Sequence, residues 1–302
     1  MKKLLTALFV VACIISAPLV GFANPNDAAV YYNRGLAYSK QKQYALAVPE
    51  YTKAIQLNPN DYEAYSDRGH AYSKLGQYEH AIADFNRSIQ LNPNFDEPYF
   101  YRSYVYLQLG QYNQALADIN KAIQLNPNDD LSYGVRGNIY NLLNQYELAI
   151  ADLNRSIQLN PNYAGSYGAR AQAYLQLGQY NQAVQDYNKA IPLEPNDCGA
   201  YFTRGWAYFH LKKYDWALAD VNRSIQLNPE DAALPMIYAM RGCVYALQGN
   251  YQQALADTTK AIQLNPTLGM AYHARGLAYQ SLGDEANAQA NFAKAKQLGY
   301  NG

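Results

Sequence analysis

Cysteine and histidine are scarce in this chain of 302 residues, which contains three cysteines and four histidines. A disulfide framework or a structural zinc site needs several such residues at close spacing, and none of these stands at ligand spacing from another. A glycine-rich phosphate loop, a paired-histidine motif and a nucleophile elbow are also missing. The sequence therefore predicts no catalytic residues, no metal site and no cofactor.

An excess of either charge is missing as well. Lysine and arginine number 24, aspartate and glutamate number 24, and the formal net charge is zero. A nucleic-acid-binding surface needs a basic excess, and a disordered chain is poorer in apolar residues than the 49% found here. The composition indicates a folded protein without a nucleic-acid partner.

Only one long apolar run occurs, at residues 4–20, after two lysines. A basic start, an apolar stretch and a small-residue site ending at Ala23 are typical of a secretory signal peptide. We expect cleavage there, which makes 1–23 the signal peptide, 24–27 a short linker, and the mature protein periplasmic or secreted without a membrane span. Two alternatives stay open. Lipidation of Cys13 would leave an apolar mature N-terminus, and an uncleaved membrane anchor is disfavoured by the proline and glycine in the run.

The rest of the chain repeats one unit. The phrase Ala-Ile-Gln-Leu-Asn-Pro or a close variant recurs, and its prolines from Pro59 to Pro229 stand 34 residues apart. A fixed period of this length is typical of a repeat array. The predicted repeats are 28–61, 62–95, 96–129, 130–163, 164–197, 198–231, 235–268 and 269–302, with an insertion at 232–234. Residues 28–302 are therefore predicted to form eight repeats.

Each repeat contains two helical patterns separated by a turn. In the second repeat, the stripe that includes Tyr65 and Tyr72 ends at Gly76, and a second stripe ends before Pro93. This 34-residue unit resembles the tetratricopeptide repeat. The residues that carry the resemblance are Tyr65, Gly69, Tyr72, Ala81, Phe85, Ser88 and Pro93. The resemblance covers residues 28–302 and implies an all-α fold, a right-handed α/α superhelix (solenoid) with a concave inner face.

Arginine occupies the seventh position of all eight repeats, and an acid occupies the twenty-third position of seven. The arginines are Arg34, Arg68, Arg102, Arg136, Arg170, Arg204, Arg241 and Arg275. The acids are Glu50, Asp84, Asp118, Asp152, Asp186, Asp220 and Asp257, and the eighth repeat has Asn291. The arginines share a stripe with packing tyrosines, and a buried guanidinium needs a partner. We predict a structural ladder of arginine–acid pairs, within repeats or between neighbours. The alternative is an arginine array for an anionic polymer.

The fifth, ninth and twelfth positions of each first helix point away from the packing stripe, at about 100° per residue. Their residues differ between repeats while the packing positions recur, which favours recognition on the concave face. The predicted ligand-groove residues are Tyr32, Leu36, His70, Phe100, Tyr104, Asn138, Gln172, Phe202, Trp206 and Phe209. The alternative is local packing or drift at an unconstrained face.

The tetratricopeptide family includes a carboxylate clamp of Lys, Asn and Arg, and the groove positions here carry no such set. The nearly uncharged face favours an extended peptide with apolar and amide side chains. We therefore expect a non-enzymatic protein- or peptide-binding scaffold of the bacterial cell envelope or exported space, a monomer or weak homo-oligomer. The alternatives are a structural, self-associating repeat protein, and an accessory subunit of an envelope enzyme or secretion complex.

Overall fold

The computed structural model describes residues 28–230 and 232–300, and those residues contain sixteen α-helices and no β-strand. The predicted signal peptide, the linker and Cys13 lie outside the described residues. The helices form eight pairs, which confirms the predicted all-α fold of helix–turn–helix repeats. Their bounds are Ala28–Lys40 (α1), Tyr44–Leu57 (α2), Tyr62–Lys74 (α3), Tyr78–Leu91 (α4), Glu97–Gln108 (α5), Tyr112–Leu125 (α6), Asp130–Leu142 (α7), Tyr146–Leu159 (α8), Ala164–Gln176 (α9), Tyr180–Leu193 (α10), Cys198–His210 (α11), Tyr214–Leu227 (α12), Leu234–Leu247 (α13), Tyr251–Leu264 (α14), Gly269–Ser281 (α15) and Glu285–Gln297 (α16).

The chain divides into two compact parts. The N-terminal part ends at Pro127 and contains α1–α6, and the C-terminal part begins at Asn128 and contains α7–α16. Within each part, a first helix packs against the second helix of its own repeat and against the neighbouring repeat. In the N-terminal part, for example, α3 contacts α4, α2 and α5. This stacking buries the apolar stripe that a single helix pair leaves exposed.

The turn inside each repeat depends on one residue with positive φ. Gly76 has a φ of 73°, and the N–H of Gln77 donates to the carbonyl oxygen of Tyr72 at 2.9 Å, which closes a Schellman motif. The carbonyl of the eleventh-position tyrosine accepts this bond in all eight repeats. In three repeats the left-handed residue is not glycine but Lys42, Asn144 or Lys212. The bond pattern therefore determines where the helix pair turns, even without glycine.

Asparagine and aspartate side chains stabilise the helix ends in the segments that connect repeats. Asn92 ends α4, and its side-chain oxygen accepts a hydrogen bond from the N–H of Asn94 at 3.1 Å, while the proline between them prevents helix continuation. At the start of α3, Asp61 accepts a hydrogen bond from the N–H of Ala64 at 3.0 Å. Such an N-cap satisfies one of the unpaired donors of a first helical turn.

Small residues keep the two helices of a repeat close together. A Cβ atom added to Gly69 would lie 2.8 Å from Cε1 of Phe85 and 3.2 Å from the carbonyl oxygen of Ala81. Phe85 and Ala81 are fully buried, at 0% exposure. The alanine at the twentieth position of each repeat is buried, with 0–1% of its surface exposed: Ala47, Ala81, Ala115, Ala149, Ala183, Ala217, Ala254 and Ala288. The core is therefore built on direct helix–helix contact at these positions.

Candidate functional site

The repeated arginines form ion pairs inside their own repeats. In six repeats, Nε and Nη2 of the arginine donate to both oxygens of the aspartate sixteen residues later, at 2.5–2.8 Å. Arg34 makes a single bond of 2.8 Å to Glu50 and remains 54% exposed. Arg275 donates from Nε to Oδ1 of Asn291 at 2.8 Å. The paired guanidinium groups are thereby engaged within the protein, which disfavours an array that binds an anionic polymer.

The third guanidinium nitrogen joins neighbouring repeats. Nη1 of Arg204 donates to Oδ1 of Asn188 at 2.8 Å, and Nη1 of Arg68 donates to the hydroxyl of Thr52 at 3.0 Å. The same contact joins Arg102 to Asn86, Arg170 to Asn154 and Arg241 to Asn222. The acid partner is therefore in the same repeat, whereas the partner in the preceding repeat is uncharged.

Tyrosines flank these guanidinium groups. The Cζ atom of Arg68 lies 5.6 Å from the ring centroid of Tyr65 and 5.8 Å from that of Tyr72. Pairs of tyrosines at the same two positions enclose Arg102, Arg170 and Arg204. A cation over an aromatic face is attracted by the ring quadrupole. Sequence reasoning assigned these tyrosines to packing and missed their contact with the arginines, although their positions, three before and four after the arginine, place them on its helical face.

Two predicted groove residues of the N-terminal part, Tyr32 and Leu36, pack against a buried cluster that includes Tyr51 and Ala71. The hydroxyl of Tyr32 donates to Oδ2 of Asp67 at 2.8 Å. Both side chains are half-buried. Their contacts are those of interior packing, so this part of the predicted groove offers little accessible apolar surface.

The other three predicted residues of this part, His70, Phe100 and Tyr104, differ in exposure. The ring of His70 stacks on Tyr101 with centroids 4.3 Å apart, and burial lowers its pKa to about 4, which keeps it neutral at pH 7. Phe100 meets the same tyrosine edge-on at 5.4 Å. Tyr104 is 40% exposed, with Nζ of Lys74 lying 5.4 Å from its ring centroid. The structure brings His70 and Phe100 together through Tyr101.

Three carboxylates that sequence reasoning missed lie in the same region: Glu63, Asp67 and Glu97. Burial, together with the nearby charge of Glu63, raises the pKa of Asp67 to about 6, although the hydrogen bond from Tyr32 opposes the shift. Burial and then the charge of Asp67 raise the pKa of Glu97 to about 7. These residues occupy the second and sixth positions of their repeats, whereas the predicted groove used only the fifth, ninth and twelfth positions. The available signal was the pair of acids four residues apart at Glu63 and Asp67.

We expect Asp67→Asn to stabilise the protein at pH 7.5 and not at pH 4. An acid whose pKa is higher in the folded state stabilises the fold at low pH, and that contribution is lost as the pH rises from about 4 to about 6. Asparagine still accepts the hydrogen bond from Tyr32 without carrying a charge. The expected gain at pH 7.5 is about 1–2 kcal/mol, measured by urea unfolding at both pH values. An equal effect at the two pH values would contradict the assignment.

Three predicted groove residues of the C-terminal part line one cavity: Gln172, Phe202 and Trp206. This aromatic cavity of about 310 Å³ is also lined by Leu175, Gln176, Tyr180, Thr203 and Met236, from helices α9, α10, α11 and α13. The ring centroids of Phe202 and Trp206 are 6.4 Å apart. Phe209 contacts Trp206 and packs against the apolar core instead of lining this cavity. Apolar walls with amide side chains at the edge are typical of a recognition pocket.

A second cavity of about 320 Å³ adjoins the first, because Gln172 and Thr203 line both. We call it the acidic cavity, since Glu194 and Asp197 line it together with the predicted residue Asn138. It exists because several neighbouring positions lack a side chain. A Cβ atom at Gly168 would meet nothing within 4 Å. The other lining residues are Ala164, Gly165, Ala169, Tyr187, Ala190, Gly199 and Ala200.

Sequence reasoning missed the acidic residues of this cavity because Glu194 and Asp197 follow α10, outside the first helices that supplied the groove positions. The available signal was the group of glycines Gly165, Gly168 and Gly199, at positions where most other repeats carry larger side chains. Glycines on adjacent helices leave a space between the helices that the backbone alone cannot fill.

The described residues hold no cluster of three or more histidine, cysteine, aspartate or glutamate side chains suited to a metal ion. Within residues 28–230 and 232–300, no helix has both the length and the apolar character needed to cross a bilayer.

Comparison with solved structures shows the fold. The chain is 19% identical to a chain of the APC/C hetero-tetramer Cut9–Hcn1, with a TM-score of 0.66, and the match covers 73% of this chain but only 43% of that one. A tetratricopeptide repeat protein from Parabacteroides merdae is 20% identical, with a TM-score of 0.56, over 83% of this chain and 98% of that one. YrrB, described as a TPR protein with an unusual peptide-binding site, is 21% identical, with a TM-score of 0.51, over 62% and 94%.

No curated protein matches the chain. Family comparison matches the tetratricopeptide repeat along most of the sequence, as separate repeats or pairs of repeats. The matched residues are 28–61, 62–95, 96–129, 137–178, 171–212, 199–231, 235–268 and 271–298. With the eight helix pairs and their Schellman turns, these matches show that the chain belongs to the tetratricopeptide repeat family.

Proposed function

We propose that the chain is an exported, non-enzymatic scaffold that binds an extended segment of a partner protein at the aromatic cavity. The observation that carries the proposal is the contrast between repeated and variable side chains. The repeated alanines, arginines and aspartates are used in contacts within the array. Phe202 and Trp206 instead remain half-buried at the wall of a cavity. Large aromatic side chains in such a position are the usual anchors of protein recognition.

Further observations support the proposal. Tetratricopeptide repeats imply protein partners, and YrrB, which shares the fold, is described as having a peptide-binding site. The proposed export rests on the signal-like pattern of residues 1–23. The amide groups of Gln172 and Gln176 line the cavity and supply donors and acceptors for a peptide backbone.

The two tryptophans of the chain provide a matched test. Trp206 lines the cavity, whereas Trp216 lies on α12, is 64% exposed and contacts Tyr208. We expect peptides selected from a random displayed library on residues 24–302 to bind the Trp216→Ala variant as they bind the unchanged protein. Binding to Trp206→Ala should weaken by about tenfold or more, because an anchor side chain is lost. Isothermal titration measures the affinities, and circular dichroism checks that both variants remain helical.

Two results would overturn this function. Peptides that bind both variants and the unchanged protein equally would place recognition on another surface. Failure to select any peptide, with a mass above the monomer in analytical ultracentrifugation, would support the self-associating structural alternative.

A further inference from the structure

The aromatic and acidic cavities lie side by side, with Gln172 and Thr203 at their shared edge. Two touching spheres with the volumes of these cavities, about 320 and 310 Å³, would have centres about 8 Å apart, close to the roughly 7 Å between side chains i and i+2 of an extended chain. The side chains of Gln172 and Thr203 provide donors and acceptors for the backbone of the residue between them. One extended segment therefore reaches both cavities.

The two cavities differ in charge. Tyr180, Phe202, Trp206 and other uncharged residues line the aromatic cavity. Glu194 and Asp197 line the acidic cavity, and no lysine, arginine or histidine does. Neither carboxylate forms an ion pair among the described residues. Complementary charge is what selects a partner at such a surface.

Two amide side chains add neutral hydrogen-bond acceptors to the carboxylates of this cavity. The side-chain oxygens of Asn138 and Gln172 are acceptors that a charged ammonium or guanidinium group satisfies. Asp197 uses Oδ1 to cap α11, accepting from the N–H groups of Gly199 at 2.9 Å and Ala200 at 3.2 Å. Glu194 follows the last residue of α10, and its exposed side chain caps no helix. Its carboxylate is therefore the group to change in a test.

We propose that the segment bound at this site carries an apolar or aromatic side chain in the aromatic cavity and, two residues along the chain, a lysine or arginine side chain in the acidic cavity. This inference rests on the proposed function and names its ligand class. It revises the expectation from sequence of an apolar and amide peptide, because Glu194 and Asp197 were absent from the predicted groove. A carboxylate at the same place in the segment would be repelled by both acids.

The test uses peptides selected on residues 24–302. Trp206 alone reports binding by fluorescence in a Trp216→Phe background, since the chain has two tryptophans. We expect the selected peptides to share an apolar residue and a basic residue at i and i+2. Exchange of the basic residue for glutamine should weaken binding about five- to tenfold, and by less in about 0.5 M salt, where exposed charges are screened.

Variants of the protein assign this effect to the cavity. Glu194→Gln should weaken binding of the basic peptide, by less than the exchange in the peptide does because Asp197 keeps its charge, and should leave binding of the glutamine peptide unchanged. Glu230→Gln removes the same charge from an exposed residue that lines neither cavity, and it should change neither affinity. Gly168→Leu places an apolar side chain at the wall of the acidic cavity and should reduce the preference for the basic peptide.

The outcomes separate this inference from the function on which it rests. Peptides that depend on Trp206 but show no basic preference, or a preference that Glu194→Gln leaves intact, would overturn the inference and leave the proposed function standing. Peptides that do not depend on Trp206, or no peptides at all, would overturn both.

Discussion

Replacing Asp118 with alanine is expected to lower the free energy of unfolding by about 2–4 kcal/mol, because it leaves a largely buried guanidinium group without its counter-charge. Nε and Nη2 of Arg102 both donate to this carboxylate at 2.6 Å, and the two side chains are 16% and 9% exposed. Tyr99 and Tyr106 enclose the guanidinium, so solvent does not readily replace the lost bonds. Urea unfolding followed by circular dichroism measures the change.

The chain contains two internal comparisons for this result. Glu50→Ala breaks the single bond to Arg34, whose side chain is 54% exposed, and should cost less than about 1 kcal/mol. Asp118→Asn should fall between the two alanine variants, because asparagine retains one acceptor, as Asn291 does for Arg275. Equal losses for Asp118→Ala and Glu50→Ala would show that burial does not control the contribution of these pairs.

Gly69→Leu is expected to destabilise the protein by about 2–4 kcal/mol, from the upper half of the usual range for overpacking a well-filled core to somewhat above it. Even the first carbon of the new side chain would lie 2.8 Å from the ring of Phe85 and 3.2 Å from the backbone oxygen of Ala81. The ring is fully buried and the backbone oxygen belongs to the partner helix, so neither moves without separating α3 from α4. The same unfolding measurement applies.

The matched control is the same substitution at Gly168, another glycine inside a first helix. Its Cβ would meet nothing within 4 Å, and leucine favours a helix by roughly 0.5–1 kcal/mol relative to glycine. Gly168→Leu should therefore leave stability unchanged or slightly raised. If both leucine variants lost stability equally, the cause would be the helix itself and not the contact with Phe85.

The repeat was predictable from sequence because its signals are local and occur eight times. A glycine such as Gly76 indicates a turn and a proline such as Pro93 indicates a helix end from local sequence alone. An arginine and an acid that recur at fixed positions indicate an ion pair. The candidate site was predictable only in part. Helical periodicity places Phe202 and Trp206 on one face, but the rotation of each helix against its neighbours decides what that face meets. For this reason Tyr32 packs between helices and does not line a groove: its hydroxyl donates a hydrogen bond to Asp67 of the next repeat.

The two cavities could not be predicted from the sequence, for a different reason. The acidic cavity at Gly168 forms where small residues on several helices leave space between them. Helical periodicity in the sequence shows which way side chains point, but not where neighbouring helices leave such a space. Glu194 joins that pocket from a segment after α10, which helical patterns do not assign to any face. Both features require the packing of neighbouring repeats in three dimensions.

Because each ion-paired arginine has its acid partner in the same repeat, repeats can be gained or lost during evolution without separating the two charges. Arg102 and Asp118 stand in one repeat, and the contact with the preceding repeat uses an uncharged group of Asn86. A copied or deleted 34-residue segment therefore brings or removes a cation together with its own counterion. Unequal recombination between such segments changes copy number without leaving a buried charge unmatched, so length is free to vary while each junction keeps the same chemistry.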